Sequence, residues 1–147
     1  MMKMKKEVCS AYMETAKNFA KCSTAKRLKV GAIIVDPSTG AIVSVGYNGM
    51  PSGMSNVCEE KREGRLRTKD AVLHAEENAI AKMARSSSSS EDTWMFITHS
   101  PCIKCARLIA TSGISKVFYN EQFKGTIGCG LELLRKCSVR TINIGEK

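Results

Sequence analysis

The sequence predicts a three-layer α/β/α domain built on a mixed five-stranded sheet. Two observations favour this fold class. First, two apolar runs at 30–35 and 41–47 flank the turn at 36–40, whose letters DPSTG are typical of a hairpin connection. Second, helix-like and strand-like segments alternate from residue 73 to residue 144, which is typical of parallel strands joined by crossover helices. We therefore expect the crossover helices to begin at one edge of the sheet.

The individual elements follow from the spacing of apolar residues. The first segment reads as an amphipathic helix through Val8, Tyr12 and Phe19. Gly113 is placed to end the helix that contains the second cysteine motif. The predicted strands are 30–35, 41–47, 94–98, 116–120 and 139–144, and the later helices are 73–85, 102–112 and 126–136.

Composition limits the classes of protein that remain. With 147 residues and 43% hydrophobic content, the chain suits one domain over 1–147. The basic N-terminal segment has no continuous apolar stretch, so we expect no signal peptide and no contact with a membrane. Seven cysteines without the spacing of small secreted proteins predict free thiols and a cytoplasmic location, which is the host cytoplasm if a phage encodes the chain.

The net charge of +9 leaves two kinds of partner open, a polynucleotide or a small anionic substrate. Basic residues are concentrated at 21–31 and 59–70, and a solvated surface is the default interpretation of such runs. Only eight aromatic residues occur, and they do not alternate with basic ones as in a nucleic-acid platform. We therefore expect no nucleic-acid partner.

The stretch LHAEENAI, residues 73–80, places His74 two residues before Glu76. Glu76 falls in an apolar helical stripe, where an ionised carboxylate is costly unless it faces a cation, a proton or a polar cavity. Side chains two residues apart point in different directions in the middle of a helix, but both can flank a group beyond its N-terminus. We therefore expect a helix to begin near His74.

A second helix start is predicted at THSPCIKC, residues 98–105. Ser100 is suited to the N-cap and Pro101 to the first helical position, so Cys102 and Cys105 share one side of the opening turn. The positive end of a helix favours thiolate, the form of cysteine that binds metal. One imidazole and two thiolates form a three-ligand zinc set with a fourth position open, which is typical of catalytic zinc.

Each motif alone has an ordinary interpretation. A single CxxC can be a redox pair, and a single helical histidine is usually solvated or structural. Together they match the H-x-E with P-C-x-x-C signature of zinc-dependent nucleobase deaminases. Two rivals remain: a deaminase acting on tRNA adenosine or single-stranded nucleic acid, and a non-enzymatic zinc or redox module, which leaves Glu76 unexplained.

The resemblance to a known family is more specific than the zinc motifs. With VGYNGMPSG at 45–53, HAE and SPCxxC, the chain resembles the compact bacterial and phage deoxycytidylate (dCMP) deaminases of the cytidine deaminase superfamily. The similarity extends from RLKVGAIIVD to THSPCIKCARLIATSGISKVFY. It implies a cytidine deaminase-like fold and hydrolysis of dCMP to dUMP and ammonia, which would supply dUMP for thymidylate synthesis.

The same resemblance assigns roles to residues of this chain. It implies one zinc ion per subunit held by His74, Cys102 and Cys105, with Glu76 moving protons. The residues implied in substrate binding are Ser23, Arg27, Lys29, Asn48, Ala75, Arg85, Ser100 and Tyr119. Ser23, Arg27 and Lys29 are the candidates for the phosphate site, which would account for part of the basic charge.

The resemblance also implies regulation and assembly. Activation by dCTP and inhibition by dTTP would take place at Gly46, Tyr47, Asn48 and Gly49, with Mg²⁺ accompanying the triphosphate. A homohexamer is expected. Arg85 lies eleven residues after His74, too far to reach its own metal site, so it would act on the nucleotide of a neighbouring subunit. A solvated arginine at the helix end is the alternative.

Overall fold

The structure, a computed structural model, describes residues 4–124 and 128–145. Four helices and seven strands are present in these residues. In chain order they are α1 (Lys6–Ala20), β1 (Gly31–Val35), β2 (Ile42–Tyr47), β3 (Glu59–Arg62), β4 (Arg65–Thr68), α2 (Ala75–Met83), β5 (Trp94–His99), α3 (Ile103–Thr111), β6 (Lys116–Glu121), α4 (Leu131–Lys136) and β7 (Arg140–Asn143).

Five of the strands form one mixed sheet in the order β2-β1-β5-β6-β7. Both β2 and β5 pair antiparallel with β1, whereas β6 pairs parallel with β5 and β7 pairs parallel with β6. The predicted five-stranded mixed sheet is therefore confirmed. Because the parallel strands β5 and β6 are joined through α3, the N-terminus of α3 lies at the carboxyl end of β5.

Helices cover both faces of the sheet. On one face, Met13 and Ala16 of α1 pack on alternate strand residues such as Phe96. On the other face, Ala79 of α2 and Ile109 of α3 pack in a second core cluster, together with α4. The three-layer arrangement predicted from the sequence is thus confirmed, and α2 and α3 lie side by side in one layer.

Two helices differ in detail from the sequence prediction. In α1 the buried residues are Met13, Ala16 and Ala20, whereas Val8 is 39% exposed, because small alanines let the helix approach the sheet closely. Residues 128–130 precede α4 without being helical, so the prediction of a helix from 126 is too long, and residue 126 itself lies outside the described residues.

One element was not predicted at all. The basic run at 59–68 forms a two-stranded antiparallel ribbon, β3 and β4, turned by Glu63 and Gly64 at φ values of 52° and 75°. Two consecutive residues with positive φ are typical of a tight hairpin turn. The ribbon is separate from the five-stranded sheet. Within 4–124 and 128–145, none of the helices has the length and apolar content required to cross a bilayer.

Candidate active site

The first part of the site is the beginning of α2, which is capped by His74 as predicted. The Glu77 carboxylate accepts a hydrogen bond of 3.0 Å from the His74 backbone N–H, which satisfies one of the donors at this helix end. As the N-cap, His74 has an extended backbone with ψ of 159°, so its imidazole projects away from the helical ring of side chains. The side chain therefore lies at the mouth of the helix.

The second part is the beginning of α3, where the structure corrects the prediction. Cys102, not Ser100, is the N-cap residue, and Ile103, not Pro101, is the first helical residue. The Ser100 hydroxyl instead accepts a hydrogen bond of 2.7 Å from the Phe123 backbone N–H. Ser100 is thus used to hold the segment that follows β6. The helix begins two residues after Pro101 and one residue after the start of the predicted helix 102–112.

The two helix starts bring three ligand-type side chains together. The Nδ1 atom of His74 lies 3.3 Å from the Cys105 sulfur and 3.6 Å from the Cys102 sulfur, and all three ligand atoms lie within 4.8 Å of one another. Tetrahedral zinc with bonds of about 2.0 Å to nitrogen and about 2.3 Å to sulfur would separate such atoms by about 3.6 Å. The donor set and its spacing therefore fit a zinc ion.

The proton affinities of the three ligand-type side chains depend on one another. A hydrogen bond from the Cys105 thiol lowers the pKa of Cys102 to about 4, and the same bond raises the pKa of Cys105. The hydrogen bond with Cys102 also raises the pKa of His74. Because zinc binds thiolates and neutral imidazole, binding of the ion would release the protons that these groups hold.

Glu76 lies in the first turn of α2 and is only 4% exposed. Burial raises the pKa of its carboxyl to about 7, although a hydrogen bond with Cys105 and the charge of His74 act in the opposite direction. A carboxyl group with a pKa near neutrality can both accept and donate a proton at physiological pH. The structure therefore places a carboxyl group that can exchange a proton near neutral pH in contact with the ligand cluster.

Two of the predicted substrate residues are tied to each other beside the site. The Ser23 hydroxyl donates a hydrogen bond of 2.7 Å to the Asn48 carbonyl. The Asn48 side chain accepts one of 2.8 Å from the Val30 N–H and donates one of 2.7 Å to the Leu28 carbonyl. The Asn48 amide thus holds the backbone of the segment between α1 and β1, and its contact with substrate stays a prediction.

The other predicted substrate residues differ in their surroundings. Arg27 and Lys29 are exposed on the segment between α1 and β1. Ala75 is fully buried at the start of α2, and Tyr119 is 7% exposed on β6 in the core cluster beneath α2 and α3. The two cations are thus available to a ligand, while the other two residues are mainly packed in the core.

Two of the four predicted effector residues lie at a separate opening. A cavity of about 460 Å³ is lined by Tyr47, Gly49, Lys82 and Arg85, and its described lining does not include the three ligand residues. Gly46 is buried in β2 against α2, where an added Cβ would lie 2.6 Å from the Ala79 nitrogen. The cavity is therefore lined by Arg85 and by two of the four predicted effector residues, Tyr47 and Gly49, while Gly46 is required for packing.

Sequence reasoning missed one buried carboxylate, Glu59 of β3. It is 7% exposed and accepts hydrogen bonds from the backbone N–H groups of Lys26 and Arg27. The signal that could have revealed it is the pair Glu63-Gly64 between two four-residue segments, which is typical of a hairpin turn. The charge run was instead interpreted as a solvated surface.

Comparison with known proteins gives a consistent assignment. Residues 6–121 match the family model for the cytidine and deoxycytidylate deaminase zinc-binding region. The deoxycytidylate deaminase of Enterobacteria phage T4 is 32% identical over 81% of this chain and 80% of its own length. The human deoxycytidylate deaminase is 43% identical over 62% of this chain, which spans about half, 52%, of the human protein.

A solved structure agrees over almost the full length. The dCMP deaminase of cyanophage S-TIM5, crystallised in complex with dCMP and dUMP, is 43% identical with a TM-score of 0.88 and covers 97% of this chain and 100% of its own. With a family model that matches most of the chain and a zinc-type ligand cluster where that family predicts it, the chain belongs to the cytidine and deoxycytidylate deaminase family.

Proposed function

We propose that this protein is a zinc-dependent hydrolase that converts dCMP and water to dUMP and ammonia. The observation that carries the proposal is the buried carboxyl of Glu76 in contact with the cluster of His74, Cys102 and Cys105. Support for the substrate comes from the similarity to phage deoxycytidylate deaminases, one of which was crystallised with dCMP and dUMP.

The proposed roles follow from the positions of the side chains. His74, Cys102 and Cys105 would hold the zinc ion, which supplies a Lewis acid that makes water a nucleophile at neutral pH. Glu76 accepts a proton from the attacking water and donates it to N3 of the cytosine as C4 is attacked. Glu76 then transfers the second proton of the water to the departing amino group, so that ammonia leaves and the C4 carbonyl forms.

The remaining substrate contacts belong to the same proposal. Asn48, Ala75, Ser100 and Tyr119 would line the sugar and base pocket, and Ser23 would join the phosphate site. Arg27 and Lys29 would neutralise the phosphate, which agrees with their exposure near the segment that Asn48 holds.

A substrate panel tests the proposed function. The purified protein is assayed with dCMP, cytidine, dCTP and a tRNA anticodon stem, each with and without a chelator. We expect deamination of dCMP that the chelator abolishes and added zinc restores. Deamination of the tRNA stem instead of dCMP would favour the nucleic-acid deaminase, and no deamination of any substrate by zinc-loaded protein would favour a non-enzymatic module.

We also propose regulation by dCTP and dTTP at the cavity beside α2. Its size, its glycines and the nearby Lys82 suit a nucleoside triphosphate, with Mg²⁺ balancing further negative charge. The expected kinetics are sigmoidal for dCMP and become hyperbolic with dCTP. Hyperbolic kinetics that neither triphosphate alters would contradict the regulatory proposal and leave the catalytic one intact.

The assembly and cellular role complete the proposal. We infer a homohexamer, in which Arg85 reaches the nucleotide bound by a neighbouring subunit. The dUMP produced would supply thymidylate synthesis in the cytoplasm. The exposure of Arg85 at the end of α2 supports the contact between subunits, because an arginine buried within its own subunit could not make it.

A further inference from the structure

The segment at 23–30, between α1 and β1, is held in place by a buried carboxylate from the ribbon of β3 and β4. One oxygen of Glu59, Oε1, accepts hydrogen bonds of 2.6 Å from the Lys26 N–H and 3.1 Å from the Arg27 N–H. Glu59 itself is 7% exposed. A carboxylate that accepts two backbone N–H groups away from water makes stronger hydrogen bonds than a neutral acceptor does.

Other contacts join the same two parts of the chain. The Thr24 hydroxyl donates a hydrogen bond of 2.6 Å to the Asn56 carbonyl, just before β3. The Arg27 guanidinium donates one of 3.4 Å to the Thr68 hydroxyl of β4. β3 and β4 lie outside the main sheet, so the packing of the ribbon alone suggests no function for it. These bonds give it one, because they join the ribbon to segment 23–30.

The opposite side of segment 23–30 is tied to the candidate active site. Asn48 holds Leu28 and Val30 through its side-chain amide. The next residue, Gly49, exchanges two backbone hydrogen bonds with Leu73, of 3.1 Å and 2.8 Å, directly before His74. Segment 23–30 is therefore fixed between the ribbon on one side and the strand end that adjoins the metal ligand on the other.

We propose that Glu59 is a positioning residue that fixes segment 23–30 so that its cations bind the 5′-phosphate of the substrate. The inference rests on the proposed function, because it assigns the phosphate to Arg27 and Lys29. Glu59 does not contact the substrate. It acts by holding the backbone from which these two exposed side chains extend, so it determines the preference for a nucleotide over a nucleoside.

The expected kinetic signature follows from that placement. Loss of the Glu59 carboxylate removes the acceptor that holds the Lys26 and Arg27 N–H groups, so segment 23–30 is no longer fixed against the ribbon and can shift. The zinc ligands and Glu76 lie at the starts of α2 and α3, outside segment 23–30, so they stay in place. Binding of the phosphate should therefore weaken while the chemical step is retained, since a displacement of about 1 Å can cost up to about a hundredfold in binding or rate.

The test compares Glu59→Ala and Glu59→Gln with Glu60→Ala, a matched control on the other face of β3. Glu60 pairs with Arg62 at 2.8 Å and, among the residues that the structure describes, has no hydrogen bond or ion pair with segment 23–30. For Glu59→Ala we expect KM for dCMP and the inhibition constant of dUMP each to rise by about tenfold, with kcat within about threefold of the wild type. Glu59→Gln keeps a carbonyl acceptor and should show a smaller rise, and Glu60→Ala should show none.

Amide hydrogen exchange provides a readout that does not depend on activity. In Glu59→Ala the amides of Lys26 and Arg27 should exchange faster than in the wild type, with the rest of the chain unchanged. If Glu59→Ala does not fold, the comparison is made with Glu59→Gln. Unchanged KM and unchanged exchange would overturn the inference, as would a fall in kcat at constant KM. A wild type that fails to deaminate dCMP would instead contradict the proposed function.

Discussion

At the scale of the residue, the candidate site contains a carboxyl group that is kept away from water. Glu76 is 4% exposed, and its burial raises the pKa of the carboxyl to about 7 from an ordinary value of 4.5. The folded metal-free chain therefore holds the Glu76 proton more tightly than the unfolded chain does. Linkage requires that this contribution to stability is complete below pH 4.5 and is lost as the pH rises through about 7.

This linkage predicts that the wild type and Glu76→Gln, both free of metal, differ in free energy of unfolding by an amount that depends on pH. Glutamine is always neutral, so the variant does not lose stability when Glu76 of the wild type ionises. The free energy of unfolding of Glu76→Gln relative to wild type should increase by about 3 kcal/mol between pH 4 and pH 8. This difference is measured by denaturant unfolding of both proteins in the presence of a chelator.

The zinc-loaded proteins serve as the control for this prediction. A nearby cation favours the ionised carboxylate, so the pH-dependent difference should shrink once zinc is bound. A difference that stays constant from pH 4 to pH 8 in the metal-free proteins would mean that Glu76 is not held protonated by burial, and the assignment of Glu76 as a proton carrier would lose its physical basis.

At the scale of the element, the site depends on how closely α2 approaches β2. An added Cβ at Gly46 would lie 2.6 Å from the Ala79 nitrogen and would also meet the Ala75 carbonyl, both of which are backbone atoms that cannot rotate away. The start of α2 carries His74 and Glu76, so close packing at Gly46 positions the end of the helix that contributes to the candidate site.

Gly46→Ala is therefore expected to lower the free energy of unfolding by about 1–3 kcal/mol, the usual cost of overpacking. Gly49→Ala is the matched control three residues along the chain, because its added Cβ would meet no atom within 4 Å. The control should change stability by no more than about 0.5 kcal/mol. Equal destabilisation by the two substitutions would show that α2 is not packed against β2 at Gly46.

The elements themselves show what a sequence can and cannot predict. The strands of the main sheet were predictable because burial on both faces demands continuous apolar runs such as Gly31–Val35. The N-cap of α3 was not predictable. Ser100 is a good N-cap in isolation, but its hydroxyl accepts a hydrogen bond from the Phe123 N–H, a partner distant in the chain. Local propensity cannot reveal that competition.

The ribbon and the site show the same distinction. Apart from Glu59 and Glu60, the residues of β3 and β4 are exposed, so burial left no pattern of apolar residues to detect. The role of Glu59 depends on two N–H groups more than thirty residues away in the chain. His74, Glu76, Cys102 and Cys105 could be predicted because the ligand chemistry constrains both residue type and spacing. Phosphate and effector contacts have no such constraint and stay predictions.

At the scale of the whole molecule, the central question is whether one subunit completes the site of another. Arg85 lies beyond the end of α2, whereas Glu76 lies in its first turn, so the two residues are at opposite ends of one helix. A homohexamer in which Arg85 contacts the neighbouring nucleotide would combine both groups in a shared site.

Mixing of two inactive variants tests this assembly. Glu76→Gln and Arg85→Ala should each be impaired, and subunits refolded together should regain activity because some sites then contain both wild-type groups. Light scattering should give a mass of six subunits of 16.1 kDa each for the wild type and the mixture. Lack of recovery in demonstrably mixed oligomers, or full activity of Arg85→Ala alone, would defeat the proposal.

The most direct test of the account measures bound zinc and dUMP formation on the same samples of wild type, Glu76→Gln and Cys102→Ser. We predict about one zinc per chain in the wild type and in Glu76→Gln, with turnover of Glu76→Gln reduced by at least about a hundredfold. Cys102→Ser should lose both zinc and turnover, because a hydroxyl is a poor replacement for a thiolate ligand. Loss of zinc from Glu76→Gln with turnover retained would contradict the roles assigned here to the carboxylate and the ligands.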